Sequence, residues 1–176
     1  MKTRSLALAL VSTFVLASTA NATTHNFTVR LEGSQEVPPV VSSGTGLVNV
    51  TLDDVTGSVT VSGTYSSLNS AQTAVHIHGP APAGVNAGVI ITLAGTGGTA
   101  GTISGGGTLS AGQVTDMLSD LHYINLHTTS SPGGELRGQI RPPAVPASSL
   151  GAWMALGLLL AVAGGVLIRF RSVRTA

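Results

Sequence analysis

The stretch Asn26-Phe27-Thr28-Val29-Arg30-Leu31 places polar and apolar side chains at strictly alternating positions. Such alternation is typical of a β-strand that buries one face, because successive side chains of a strand point to opposite sides. The same period of two recurs at Val48-Asn49-Val50-Thr51-Leu52 and resumes at Val59, after the turn Asp54-Val55-Thr56-Gly57. These runs predict antiparallel strands joined by short turns.

Further runs of this kind follow, separated by stretches rich in Gly, Ser, Thr and Pro; they are residues 74–78, 88–93, 101–109, 123–127 and 136–140. One helix interrupts the series after Ser110, which forms a capping-box pattern with Gln113. Apolar residues then recur every three or four positions as far as Leu121. Strands at this spacing are typical of a sandwich or barrel. We expect an all-β, antiparallel, sandwich-like domain with one short helix.

The two ends of the chain indicate export and anchoring. Residues 1–22 combine a basic start, an apolar run and the small-residue site Ala20-Asn21-Ala22, which predicts a secretory signal peptide cut after Ala22. Residues 150–168 are uncharged and mostly apolar, close to the roughly 20 residues that a membrane-spanning helix needs. The basic tail, 169–176, then stays cytoplasmic and places residues 23–149 outside. The body is 23–141, and 142–149 is a linker.

This C-terminal end also resembles the PEP-CTERM and IPTL-CTERM sorting signals of bacteria, which join a short Pro-containing motif, an apolar helix and an Arg-rich end. The corresponding parts are Val145-Pro146-Ala147-Ser148-Ser149, the helix 150–168 and Arg169-Phe170-Arg171, with Val-Pro-Ala standing where Pro-Glu-Pro is usual. The resemblance implies removal of the helix by a sorting protease. Without that protease, the helix is a permanent anchor.

Charge and cysteine content exclude several classes of protein. The whole chain has a formal net charge of +1, but all seven acidic residues lie in the body and most basic residues lie in the terminal segments. The exported part is therefore mildly acidic, which disfavours binding to nucleic acid or to anionic lipid. The absence of cysteine excludes disulfides, thiolate metal sites and a cysteine nucleophile.

Histidines provide the main candidate for a chemical site. On a strand over 74–78, His76 and His78 share the face opposite Val75 and Ile77, and His-x-His presents two imidazoles to one metal ion. If the strands adjoin, one polar group gathers His76, His78, Asn125, His127, Glu135 and Arg137. One interpretation is a Zn or Cu site ligated by His76, His78 and His127, with Asn125 or Glu135 supporting the ligands. The other is a structural hydrogen-bond network in which Arg137 pairs with Glu135 or a carbonyl. We expect His25 to be solvated and His122 to cap or pack the helix end.

Three segments together resemble the CHRD domain, named from the repeats of chordin: residues 31–39, residues 74–81, and residues 123–128 with 132–140. The resemblance covers about 25–141 and implies a β-rich extracellular module, with no catalytic residue to carry over. We therefore expect an exported, membrane-anchored, non-enzymatic module, without a cofactor, that binds a surface protein or a polysaccharide. The alternative is a protein that binds Cu or Zn through its histidines. One version of this alternative is a redox enzyme whose strand layout resembles that of copper–zinc superoxide dismutase.

Overall fold

Eight antiparallel strands pair in the order β1-β2-β3-β6-β5-β4-β7-β8 and form a closed barrel in the computed structural model, which describes residues 22–142. The strands are β1 (Thr24–Glu32), β2 (Thr45–Asp53), β3 (Ser58–Ser66), β4 (Gln72–His78), β5 (Val89–Gly95), β6 (Gly101–Thr108), β7 (Tyr123–Thr128) and β8 (Leu136–Gln139). A 3-10 turn, Gly33–Gln35, follows β1, and an α-helix, α1, covers Ala111–Leu118. The all-β class and the short helix are confirmed.

The expectation of a sandwich is wrong, because the ladder of strands closes on itself. β8 pairs with β7 on one side and meets β1 on the other, where Arg137 lies opposite Glu32. Each of the eight strands thus has a paired neighbour on both sides, which gives one wall around one core. Period-two alternation is the same in a sandwich and in a barrel, so the pattern along the chain does not distinguish them.

The interior of the barrel is filled by the alternating apolar residues. Phe27, Val29 and Leu31 of β1 are buried, as are the residues that continue the pattern on β2 and β3. The strands near the predicted site contribute inward residues in the same way, with Val75 and Ile77 on β4 and the alternate positions of β7. The core therefore fixes which side chains of β4, β7 and β8 point outward.

Helix α1 begins as predicted and ends earlier than predicted. The Ser110 hydroxyl accepts from the Gln113 backbone N–H, and the Gln113 side chain accepts from the Ser110 backbone N–H, so the capping box is present. Val114 and Met117 pack into the core. The helix stops at Leu118, because Asp120 adopts a left-handed conformation with φ of 63°. That reversal leads the chain directly into β7.

Two turns have structural roles that bear on the site. The Asp53 carboxylate accepts from the backbone N–H groups of Val55 and Thr56 at 3.1 and 2.8 Å, so Asp53 stabilises the turn that follows β2. Gly134, with φ of 131°, lies in the reversal that returns β8 antiparallel to β7. The reversal places Arg137 opposite Asn125.

The terminal segments lie outside the part of the chain that the structure describes. They comprise the predicted signal peptide up to residue 21, most of the predicted linker, and the segments 150–168 and 169–176 for which the sequence predicts an apolar helix and a basic tail. Between residues 22 and 142, no helix is long and apolar enough to cross a membrane.

Candidate metal centre

Strand pairing brings three histidines onto the same outer patch of the barrel. His76 and His78 point outward from β4, because Val75 and Ile77 occupy the core. β7 pairs antiparallel with β4, with His127 opposite Ala74 and Asn125 opposite His76. The structure thus gathers the three imidazoles that the sequence analysis named as ligands.

The three rings are close enough to share one ion. One nitrogen from each of His76, His78 and His127 lies within 4.8 Å of the others. His76 Nδ1 and His127 Nε2 are 3.1 Å apart. Tetrahedral zinc with Zn–N bonds of 2.0–2.1 Å separates its ligand nitrogens by about 3.3 Å, so one pair already has this spacing and the widest must close by side-chain rotation.

Two of the imidazoles are oriented by backbone carbonyls. His78 Nδ1 lies 2.9 Å from the Ala87 carbonyl oxygen, and His127 Nδ1 lies 2.9 Å from that of Pro132. Because a carbonyl oxygen only accepts, each Nδ1 carries the proton and each Nε2 keeps its lone pair. The Nε2 of His78 is buried and has no hydrogen-bond partner. Metal-binding histidines are usually oriented by a hydrogen bond of this kind.

The electrostatics of the cluster favour neutral imidazoles at His76 and His78. Burial, with the neighbouring His127 and His78 rings adding to it, lowers the pKa of His76 below its ordinary value. The pKa of His78 is also lowered, chiefly by burial; its hydrogen bond to Ala87 opposes the shift, and the Arg137 charge makes the smallest contribution. Neutral imidazole is the form that binds Zn or Cu. The donor set therefore fits either metal.

An aromatic and cationic stack lies beside the histidines. The Tyr123 ring stacks on His78 at a centroid distance of 5.0 Å and an interplanar angle of 9°. The Arg137 guanidinium carbon lies 3.5 Å from the centre of the same Tyr123 ring. Arg137 also donates to the carbonyls of Pro82 and Val85 at 3.4 and 3.0 Å. This stack ties the 79–88 loop, which supplies the Ala87 carbonyl, to β7 and β8.

The two predicted supporting residues have different surroundings. Asn125 lies on the same face as the histidines, and its Nδ2 donates to the Gly133 carbonyl at 3.4 Å. Glu135 is fully buried, and its carboxylate accepts from Ser42 Oγ, the Asn69 backbone N–H and Thr128 Oγ1, each at 2.7 Å. Those bonds engage Glu135 away from the imidazoles. Arg137 pairs with carbonyl oxygens and the side-chain oxygens of Asn86 and Gln139 rather than with Glu135.

The remaining histidines lie apart from the cluster. His25 Nε2 is 3.0 Å from Asp54 Oδ2 and the residue is half-buried, so the expectation of a freely solvated ring is wrong. His122 is fully buried and neither ring nitrogen has a partner, which agrees with a packing role. Burial lowers the pKa of His122.

Glu36 is the residue that sequence reasoning missed. It is 5% exposed, and burial raises its pKa to about 7, against an opposing effect of the Arg137 charge. It follows the 3-10 turn, and its Oε1 lies beside Gly134, close to the outward side chain of Asn125 on β7. Nothing in the local pattern distinguishes Glu36 from a solvated loop carboxylate; its place in the segment 31–39 was the one signal present.

Comparison with known proteins agrees with the motifs. The family model described as the CHRD domain matches residues 27–140, which is well over half of the chain. The match includes every strand that carries the outer patch and all three clustered histidines. No significant match to a curated protein or to a solved structure was found. The chain therefore belongs to the CHRD domain family.

Proposed function

We propose that this CHRD protein is an exported, membrane-held, non-enzymatic module that binds one Zn or Cu ion through His76, His78 and His127. The observation that carries the proposal is the convergence of three imidazole nitrogens within 4.8 Å. The carbonyl hydrogen bonds of His78 and His127 support it, because they leave the Nε2 lone pairs free for a metal. Family membership supports the non-enzymatic part. Copper would add the capacity for one-electron chemistry.

The short contact between His76 and His127 is consistent with both the empty and the metal-bound state. Without metal, one proton links His76 Nδ1 to His127 Nε2 across 3.1 Å. When His76 carries its proton on Nε2 instead, both facing nitrogens present lone pairs. Arg137 opposes a cation, but Tyr123 lies between it and His78, and its charge has the smallest effect on the His78 pKa.

Metal analysis of the untagged full chain in a non-ionic detergent tests this function. We expect one equivalent of Zn or Cu after equilibrium dialysis. His76→Ala and His127→Ala should each weaken binding by more than the 10- to 100-fold typical of losing a supporting residue, because each removes a ligand. His25→Ala is the matched control and should bind normally, since His25 pairs with Asp54 elsewhere. Equal binding by the wild type and the His127→Ala variant would contradict the proposal.

A surface partner is the second proposed binding function. The outward residues of β1, β2, β3 and β6, here called the hydroxyl face, include uncharged rows such as Thr28-Asn49-Ser62-Ser104, and all four of these side chains are exposed. Such a surface favours hydrogen bonding to a polysaccharide or to a surface protein. Retention of the full chain on immobilised polysaccharide, reduced by Ser62→Glu, is the expected result. Equal retention of the wild type and the Ser62→Glu variant would exclude the hydroxyl face as the binding surface.

Export and anchoring are tested in cells. We expect the mature protein to begin at Thr23 and to fractionate with membranes. Deletion of 150–168 should release it, because that segment is the proposed anchor. Recovery of the full-length chain in the cytosol would contradict the proposal.

A further inference from the structure

A separate cleft opens between the segment 34–39 and the turn at 83–84, and the outer face of β8 lines it. Its volume is about 440 Å³. No histidine of the candidate metal centre is among its lining residues, which include Ser34, Glu36, Val37, Pro39, Arg137 and Arg141. Small-molecule sites typically have volumes of roughly 300–1,000 Å³, so the cleft suits a molecule of about the size of one sugar.

The cleft contains a buried cation without an anionic partner. Arg137 is 1% exposed, and its hydrogen bonds all go to neutral oxygens at 3.0–3.4 Å. Among residues 22–142, no carboxylate lies within 4.0 Å of its guanidinium group; the ion pairs of this region involve His25, Arg30 and Arg141. Buried charges are normally paired, because desolvation is costly. The Tyr123 ring and the loop carbonyls hold the cation in place and leave it without a counter-ion.

Glu36 is the carboxyl group that faces Arg137, and burial raises its pKa to about 7, so it is mostly protonated at pH 6. Its Oε1 and the Oδ1 of Asn125 are both buried without a hydrogen-bond donor, and a Cβ on Gly134 would collide with both atoms. A protonated Glu36 supplies a donor at this place, where two buried oxygens have none. The pKa of about 7 agrees with this assignment.

We infer that the cleft binds the carboxylate of a small ligand, with Arg137 as the anchor and Arg141 at the rim. The ligand supplies the counter-ion that Arg137 lacks while Glu36 is neutral. Arg141 is largely exposed, and its Nε lies 3.4 Å from Oδ2 of the part-exposed Asp120, so the guanidinium group can turn toward an incoming anion. Free organic acids and the uronate units of acidic polysaccharides both carry this group.

Ionisation of Glu36 competes with the ligand for Arg137. The groups facing Glu36 from β8 and beyond are Arg137 and Arg141; β7 contributes the uncharged Asn125. Once Glu36 loses its proton, Arg137 has an internal counter-ion and the ligand carboxylate meets a like charge. With a pKa near 7, the protonated fraction falls by about tenfold between pH 6 and pH 8, and the affinity falls with it.

Calorimetric titration of the full chain in non-ionic detergent, with a chelator present, tests the site. The carboxylate probes are galacturonate and succinate, and galactose is the neutral control of matched shape. We expect a carboxylate probe to bind about tenfold more tightly at pH 6 than at pH 8, and galactose not to bind. Preference for galacturonate assigns the site to uronates, and preference for succinate assigns it to free acids. Either preference supports a carboxylate site.

Glu36→Gln is the decisive variant, because it mimics the neutral acid and leaves Arg137 in place. It should bind as the wild type does at pH 6 and show no tenfold loss at pH 8. His76→Ala should leave this binding unchanged, so failure of the metal proposal and failure of this one are distinguishable. The inference is overturned if neither carboxylate probe binds, if galactose binds equally well, or if Glu36→Gln retains the full pH dependence.

Discussion

The two outer sides of the barrel have the same alternating sequence pattern and opposite environments. On the hydroxyl face, the outward side chains of β1, β2, β3 and β6 are mostly exposed to solvent. On the other side, here called the covered face, the outward residues of β7 and β8 are buried beneath the segment 33–44 and the 79–88 loop; they include Tyr123, Asn125, Arg137 and Gln139. Asn86 Nδ2 donates to the Val37 carbonyl at 2.9 Å and joins the two covers.

The difference shows where polar groups need specific partners. Water satisfies the side chains of the hydroxyl face, whereas each polar atom of the covered face depends on the protein. Five residues between 22 and 142 carry a buried side-chain oxygen or nitrogen without a partner: Glu36, His78 and Asn125 lie at the covered face, whereas Asp120 and His122 lie in the connection between α1 and β7. Unsatisfied buried groups are costly, so the three at the covered face mark it as a candidate ligand site.

The largest expected effect on stability comes from removing the Arg137 side chain on the covered face. Arg137→Ala leaves the Pro82 and Val85 carbonyls without their donor and removes the cation from Tyr123. We expect the free energy of unfolding to fall by about 3 kcal/mol, because each buried carbonyl left without a donor costs about 1–3 kcal/mol. Denaturant titration of the full chain measures this change. A loss below about 1 kcal/mol would show that the covers are held by other contacts.

Metal binding sharpens the contrast, because its three ligands lie on β4 and β7 beside the covered face and none lies on the hydroxyl face. With free Zn or Cu at about 100 times its dissociation constant, the free energy of unfolding should rise by about 2.7 kcal/mol. Addition of a chelator should reverse the gain. The His127→Ala variant should show no gain, because it lacks one of the ligands, while His25→Ala should behave as the wild type. The measurement is thermal or denaturant unfolding of four samples: the wild type with metal, the wild type with metal and chelator, and each of the two variants with metal.

The pH dependence of stability separates the buried histidines from Glu36. Because burial lowers the pKa of His122 in the folded state, the unfolded chain binds the proton better, and stability falls as pH drops below about 6.5. His76 and His78 contribute with the same sign. The loss from one such group is at most about 1.4 kcal/mol per pH unit. His122→Phe should reduce the slope of the unfolding free energy against pH below pH 6.5, by an amount that corresponds to less than one bound proton. An unchanged slope would contradict the assignment to His122.

Glu36 acts in the opposite direction. Its pKa is raised in the folded state from 4.5 to about 7, so its contribution to stability is present at low pH and is lost as pH rises through this interval. Glu36→Gln should remove this loss and make the protein relatively more stable near pH 8 than the wild type. Unfolding measured at several pH values between about 5 and 8 tests the sign, which must differ from that of His122→Phe.

The smallest effect is expected on the hydroxyl face. Thr60→Val keeps the β-branched shape and removes only an exposed hydroxyl group, so the free energy of unfolding should change by less than about 0.5 kcal/mol. The variant also serves as the matched control for Arg137→Ala. A loss comparable to that of Arg137→Ala would remove the distinction between the two faces.

Much of the site followed from local patterns along the sequence. The alternation around Val75 and Ile77 predicted that His76 and His78 point outward together, and the Pro132-Gly133-Gly134 turn predicted that β8 returns beside β7. These predictions succeed because they depend on the period of a strand and on turn chemistry. The environment of Glu135 did not follow, since its partners Ser42 and Asn69 are distant in sequence.

By itself, the sequence determined the β class, the strand positions, the helix cap and the outward direction of the histidines. Each depends on neighbours a few residues away, where chain geometry is decisive. Only the tertiary structure decided that the ladder closes into a barrel, that two loops cover one face, and that Glu36 faces Arg137 beneath them. Those features depend on contacts between distant segments, and the covers convert polar side chains that would be solvated into a buried site.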